Sequence, residues 1–184
     1  MLQGRQEDAY RHLQEAKQCL KQCLKQKVNC AKALDEAQAC VELLTKDFLN
    51  TLGIPYKSTH DVSEKISELL QKLKQPPFST IVQAQHAFKI HLVWLMILQK
   101  SLTAIRGFLT YAEAPQQRLG LGAQEIFSYD DLERGKLLAK TIVDLTEETC
   151  EKINPILEEI KTKTTMLEEI KTLKDPNKNK NRNN

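Results

Sequence analysis

The segment from residue 30 to residue 62 constrains the fold more than any other part of the sequence. Between Leu34 and Leu52, apolar residues recur every three or four positions, a spacing that places them on one face of an α-helix. Gly53 follows at once, and glycine readily adopts the left-handed conformation that ends a helix. Pro55 then prevents the helix from resuming. The segment therefore predicts a helix that stops sharply and a turn that leads into another.

The same helical spacing recurs along the rest of the chain, and no stretch alternates apolar and polar residues as a strand does. Aromatic residues make up only 5% of the chain, and the commonest residues are strong helix formers. We therefore expect an all-α fold, an antiparallel up-and-down bundle of about five helices. They are predicted over about 6–28, 30–52, from a cap at Ser58 or Thr59 to Pro76, 79–114, and 128–174 with an interruption at Pro155.

The fourth and fifth helices are expected to be much longer than the others. At 1.5 Å per residue, the segments 79–114 and 128–174 would each exceed about 50 Å, against about 25–35 Å for the first three. A single loop, from Pro115 to Phe127, connects them. The two long helices should therefore run antiparallel to each other and overhang the rest of the bundle.

Three regions are expected along the chain. Residues 1–155 should form the bundle, and residues 156–174 a helical extension that packs on the 79–92 segment. Ile170 is among the apolar residues of the extension that we expect at this contact. Residues 175–184 are polar and of low complexity, which predicts a disordered basic tail.

The middle of the fourth helix, residues 92–98 with the sequence LVWLMIL, is apolar on every side. A helix that is apolar all round is normally buried from several directions. This stretch is therefore expected either at the centre of the bundle or in a contact between subunits.

The charge of the chain does not indicate a nucleic-acid surface. The formal net charge of +3 comes from 27 basic and 24 acidic residues; three of the basic ones, Lys178, Lys180 and Arg182, and no acid follow Asp175, so residues 1–175 carry 24 of each. The body is therefore neutral, whereas proteins that bind nucleic acid through a broad surface usually carry a basic patch.

Five cysteines in a chain with a polar N-terminus predict a reducing compartment and hence a cytoplasmic location. The most apolar run, residues 90–98, is shorter than the roughly 20 residues needed to span a bilayer, so we expect no membrane segment.

Two stretches give the chain a family resemblance. The first, residues 30–62, reads CAKALDEAQACVELLTKDFLNTLGIPYKSTHDV and combines alanine-rich spacing, a glycine stop, a proline turn and Thr-His-Asp at the next helix start. The second, residues 104–145, reads AIRGFLTYAEAPQQRLGLGAQEIFSYDDLERGKLLAKTIVDL and joins an arginine, an aromatic and a small-residue turn to a helix rich in acids and alanine. In the order of these helices, and in the residues at which they begin and end, residues 10–152 resemble the HEPN family of small helical bundles.

The resemblance implies a bundle that dimerises and acts on RNA or nucleotides, often as a toxin paired with a nucleotidyltransferase-type antitoxin. Many members cleave RNA with an arginine followed four to six residues later by a histidine. Here Arg106 is followed by Tyr111 and no histidine, and a tyrosine pKa near 10 suits proton transfer poorly at neutral pH. We therefore expect no catalytic residues, and we expect Arg106, Tyr111 and His60 to bind a nucleotide or RNA.

Two other functions stay open. The neutral body and the long apolar helix also fit a non-enzymatic protein–protein interaction module, assembled with itself or with a partner. Alternatively, the protein could be a metal-independent ribonuclease that uses His60, His86 or His91 in an atypical position.

No cofactor or metal is expected. The chain has no glycine-rich phosphate loop and no His-Glu-x-x-His motif. His12, Cys19 and Cys23 share one helix face and could offer zinc three ligands, but small thiols more often fill gaps between helices.

Overall fold

The computed structural model describes residues 3–25, 30–57, 62–84, 86–119 and 129–174. Over these ranges the chain is all-α, with six α-helices and no strand, which confirms the predicted fold class. The helices are α1 (Gln3–Lys25), α2 (Ala31–Thr51), α3 (Ile66–Leu73), α4 (Ser79–Ala84), α5 (His86–Leu119) and α6 (Tyr129–Lys174); a 3-10 turn, Ser63–Lys65, leads into α3.

The core lies where α1, α2, α5 and α6 meet. Helices α1 and α2 form a hairpin, and α5 and α6 each contact α2 and one another. Phe48 of α2 and Phe88 of α5 are fully buried with ring centroids 6.3 Å apart, a separation typical of attractive aromatic pairs. One continuous cluster of buried apolar side chains joins all four helices.

Gly53 ends α2 as the sequence predicts. Its φ is +63°, its N–H donates to Asn50 O at 3.0 Å, and the N–H of Ile54 donates to Leu49 O at 2.8 Å. These two bonds define the Schellman arrangement, in which apolar residues on either side of the glycine usually meet. Leu49 and Ile54 are both buried, so this helix end is fixed by local sequence and by the core together.

The predicted apolar face of the third helix is confirmed. Ile66, Leu69 and Leu73 are buried, and they repeat at helical spacing. The predicted caps Ser58 and Thr59 lie outside the described residues.

Helix α5 continues farther than predicted. It reaches Leu119, so the expected end at Ala114 and the loop beginning at Pro115 are wrong over these residues. The φ to which proline is fixed, about −65°, is itself close to the helical value, so a proline does not by itself force the chain out of a helix.

Helix α6 is continuous from Tyr129 to Lys174 with Pro155 inside it, so the predicted interruption is also wrong. Ile153, Ile156 and Ile160 are all buried. Core packing on both sides of Pro155 therefore offsets the backbone hydrogen bond that a proline removes.

The later part of α6 contacts the start of the fourth predicted helix. Lys163 Nζ donates to Thr80 Oγ1 at 3.3 Å, and α4 and α6 pack against each other. Farther along, Ile170 is 48% exposed, so it is not buried at this contact.

Candidate functional site

The three residues predicted to bind a nucleotide or RNA fall in parts of the chain that the structure leaves undescribed. Helix α5 carries the backbone of Arg106 and Tyr111, but their side chains lie outside the described residues, as does the whole of His60. Their proposed role therefore stays a prediction.

Of the three histidines named for the ribonuclease alternative, the structure describes the side chain of only one. The side chain of His86 lies outside the described residues, as does His60. His91 is only 5% exposed, and its Nδ1 has no hydrogen-bond partner among the described residues. A general acid or base must come within hydrogen-bond reach of its substrate, and a histidine in the core does not. The described geometry therefore gives no support to His91 as a catalyst.

The most distinctive surface in the described part of the chain lies on α5. Five large apolar side chains are exposed on the outer side of this helix, by between 37% and 60%; we call them the α5 apolar face: Ile90, Val93, Trp94, Met96 and Ile97. Ile90, Trp94 and Ile97 follow one another at spacings of four and three, which aligns them in one stripe.

The opposite side of the same stretch of α5 lies in the core. Leu92, Leu95 and Leu98 are at most 3% exposed. The stretch is therefore apolar all round, as the sequence shows, but the bundle covers only half of its circumference.

Polar groups border the α5 apolar face. Lys89 and Lys100 are exposed near its two ends. Next to Met96, the 3-10 turn contributes Ser63 and Glu64 to a cleft of about 430 Å³ that Lys100 also lines. An apolar centre with a charged rim is the arrangement found in protein–protein interfaces.

A second polar group is centred on Lys161 of α6. Its Nζ lies 2.8 Å from Asp47 Oδ2, 2.8 Å from Gln6 Oε1 and 2.9 Å from Glu158 Oε1. Asp47 is fully buried, and its Oδ1 has no hydrogen-bond partner among the described residues. Burial lowers the pKa of Lys161, but the contacts with Asp47 and then Glu158 outweigh it, so the pKa stays above its ordinary value of 10.5.

The contacts of Lys161 hold α6 against the α1–α2 hairpin. They do not form a phosphate-binding site. A cleft of about 560 Å³ beside Lys161 is also lined by Glu158, Glu168 and Glu169. The single positive charge is already neutralised by Asp47 and Glu158. The cleft is therefore acidic, and it would repel an anion.

A metal could be held between α1 and α2. Among the described residues, His12, Glu15 and Glu36 bring their donor atoms within 4.8 Å of one another, and all three are half-buried. His12 Nδ1 lies 2.7 Å from Glu36 Oε2, so these two already satisfy each other as a hydrogen-bonded pair. The cluster differs from the His12, Cys19 and Cys23 face considered from sequence.

That earlier zinc alternative does not fit the structure, because Cys23 is joined to Cys30 in a disulfide. A disulfide sulfur is not available as a thiolate ligand. The bond links the end of α1 to the residue that precedes α2, across a separation of seven residues. Two cysteines, one near the end of a predicted helix and one at the start of the next, are the signal that could have predicted it.

The disulfide also affects the predicted location. Disulfides persist mainly in oxidising compartments and are rare in the cytosol. The cytoplasmic location stays a prediction, and the Cys23–Cys30 bond weighs against it.

In comparisons with known proteins, no family model, no curated protein and no solved structure matches this sequence. The resemblance to the HEPN family therefore also stays a prediction. Among the described residues, every helix is too short or too polar to span a bilayer.

Proposed function

We propose that this protein is a non-enzymatic helical interaction module, and that it assembles with a second copy of itself through the α5 apolar face. The observation that carries the proposal is the exposure of five large apolar side chains on one side of a helix whose other side is core. Water contact with such a continuous stripe is unfavourable, and association removes it.

The size of the face agrees with what a dimer needs. Its exposed parts amount to a patch on the order of 400 Å², within the roughly 300–600 Å² of the largest patches on typical monomers, which are often functional. A standard interface buries about 800 Å² per partner, of which about 60% is apolar. The face supplies most of that apolar area, and the polar rim would supply the rest.

The arrangement of the rim favours an antiparallel pair. In a parallel pair, Lys89 of one copy would lie beside Lys89 of the other, and like charges would repel. In an antiparallel pair centred near Trp94, Ile90 of one copy lies opposite Ile97 of the other. Lys89 then approaches both the like charge of Lys100 and the opposite charge of the exposed Glu64, so attraction to Glu64 offsets the repulsion from Lys100. A twofold axis makes every such contact occur twice.

Trp94 provides both the perturbation and the reporter. It is the only tryptophan of the chain, and it is 37% exposed. Sedimentation velocity and light scattering over a range of protein concentration should show a monomer–dimer equilibrium, and tryptophan emission should shift to longer wavelength on dilution. Tryptophans at the centre of an interface commonly contribute at least about 2 kcal/mol, so W94E should weaken the dimer by at least about thirtyfold.

The matched control is Leu137→Glu. Leu137 lies on α6, is 67% exposed and does not belong to the α5 apolar face, so its substitution adds the same charge elsewhere. L137E should dimerise like the unchanged protein, and circular dichroism should show the same helix content for both variants. A protein that stays monomeric at high micromolar concentration, or a W94E variant that dimerises normally, would contradict the proposal.

A further inference from the structure

A second pair of cysteines meets inside the bundle. Cys40 of α2 and Cys150 of α6 are 110 residues apart in sequence, yet their Sγ atoms are only 3.3 Å apart. Neither cysteine forms a disulfide, and the two residues are 0% and 4% exposed. The two sulfurs are in direct contact across the interface between the helices that carry them.

We propose that Cys40 and Cys150 are a cross-linking site, where a second disulfide joins α2 covalently to α6. The Sγ atoms must approach by about 1 Å to reach the roughly 2.05 Å of a disulfide. Rotation of two side chains that already touch brings the sulfurs closer together.

The presence of the Cys23–Cys30 bond supports the chemistry. An environment that oxidises this pair supplies the oxidant that the second pair needs, namely a small-molecule disulfide such as glutathione disulfide. One cysteine thiolate attacks this disulfide, forms a mixed disulfide and releases one small thiol. The second cysteine thiolate attacks the mixed disulfide, forms the Cys40–Cys150 bond and releases the other small thiol. The two cysteines are oxidised, and the small disulfide is reduced to two thiols.

The position of the pair determines when the bond forms. The hydrogen bond between the two thiols, and after it burial, raise the pKa of Cys40 well above its ordinary value of 9.0. The neutral thiol reacts slowly, and the oxidant does not reach a buried sulfur. The bond should therefore form during folding, before α6 closes over α2, and only slowly once the reduced bundle is complete.

The cross-link should raise thermal stability considerably. It closes a loop of 110 residues, whereas Cys23–Cys30 closes one of seven. Long loops gain most in the chain-entropy account of disulfides, and for a chain of this size the unfolding midpoint should rise on the order of 10 °C.

Refolding tests the proposal directly. The full chain is reduced in denaturant, refolded in a glutathione redox buffer, quenched with acid and alkylated under denaturing conditions. Of the five cysteines only Cys19 should be alkylated, and a non-reduced digest should contain the peptide pair of Cys40 and Cys150. The same oxidant added to the folded, reduced protein should produce this peptide pair much more slowly.

Two variants show which cysteines are cross-linked and which stay free. C19S should leave no alkylated cysteine, whereas C150S should leave Cys19 and Cys40 alkylated and should lose the rise in unfolding midpoint. Three alkylated cysteines in the refolded, unchanged protein would overturn the proposal, as would a cross-link to Cys19. The count on the unchanged chain does not require either variant to fold, and it does not depend on whether the protein dimerises.

Discussion

Replacing Lys161 with methionine is expected to destabilise the bundle strongly. Methionine keeps much of the length and the apolar stem of lysine but removes the charge that faces Asp47. Asp47 is fully buried, and its Oδ2 lies 2.8 Å from Lys161 Nζ. Removing one partner of a buried pair costs about 3–5 kcal/mol, because a buried charge is left uncompensated.

The lower end of this range applies here. The side chain of Lys161 is 15% exposed, so water can reach part of the vacated space. We therefore expect a loss of about 3 kcal/mol in the free energy of unfolding, and at roughly 2–4 °C per kcal/mol a midpoint lower by about 6–12 °C. Urea titration followed by circular dichroism measures the loss, and calorimetry measures the midpoint.

A double variant and a surface control make the interpretation specific. K161M with D47N should lose less stability than K161M alone, because the buried carboxylate is gone as well. Lys152 lies on the exposed side of the same helix, and K152M should change stability by no more than about 0.5 kcal/mol. A K161M variant that loses less than about 1 kcal/mol would refute the argument that Lys161 neutralises a buried charge.

Two further predictions concern pH and RNA. Because the contacts of Lys161 raise its pKa above 10.5, their contribution to stability should be complete below pH 10.5 and should disappear as pH rises through the folded-state pKa. The stability difference between the unchanged protein and K161M should accordingly be constant from pH 7 to pH 9.5 in urea titrations and shrink only at higher pH; a decline already below pH 9 would contradict this. If Arg106 binds RNA or a nucleotide phosphate, R106A should weaken a salt-sensitive RNA shift in EDTA by about tenfold, whereas R134A, on the exposed side of α6, should not. Equal affinity of R106A and the unchanged protein would remove Arg106 from the site, and RNA cleavage in EDTA would revive the ribonuclease alternative.

Local sequence features are enough to predict the helical class and the end of α2. The three- and four-residue spacing between Leu34 and Leu52 is a property of neighbouring residues, and so is the preference of Gly53 for a left-handed conformation. Such signals act within one or two turns of a helix. They therefore predict elements well without any knowledge of what packs against them.

The two prolines show where local signals fail. Pro115 and Pro155 predict a helix end and an interruption, yet α5 and α6 continue through both. At Pro155 the core contacts of Ile153 and Ile156 lie on both sides of the proline. Burial of these side chains can outweigh the loss of one backbone hydrogen bond, and the sequence near the proline does not reveal that burial.

From the sequence alone it follows that residues 92–98 are apolar on every side of their helix and that five cysteines are available. That the outer half of that helix stays uncovered, and that Cys40 meets Cys150 rather than another thiol, follows from the packing of the helices. Both outcomes depend on how α2, α5 and α6 pack, which joins residues more than 100 positions apart. A pattern along the chain shows which faces need a partner, whereas the packing of the helices determines which of them find one.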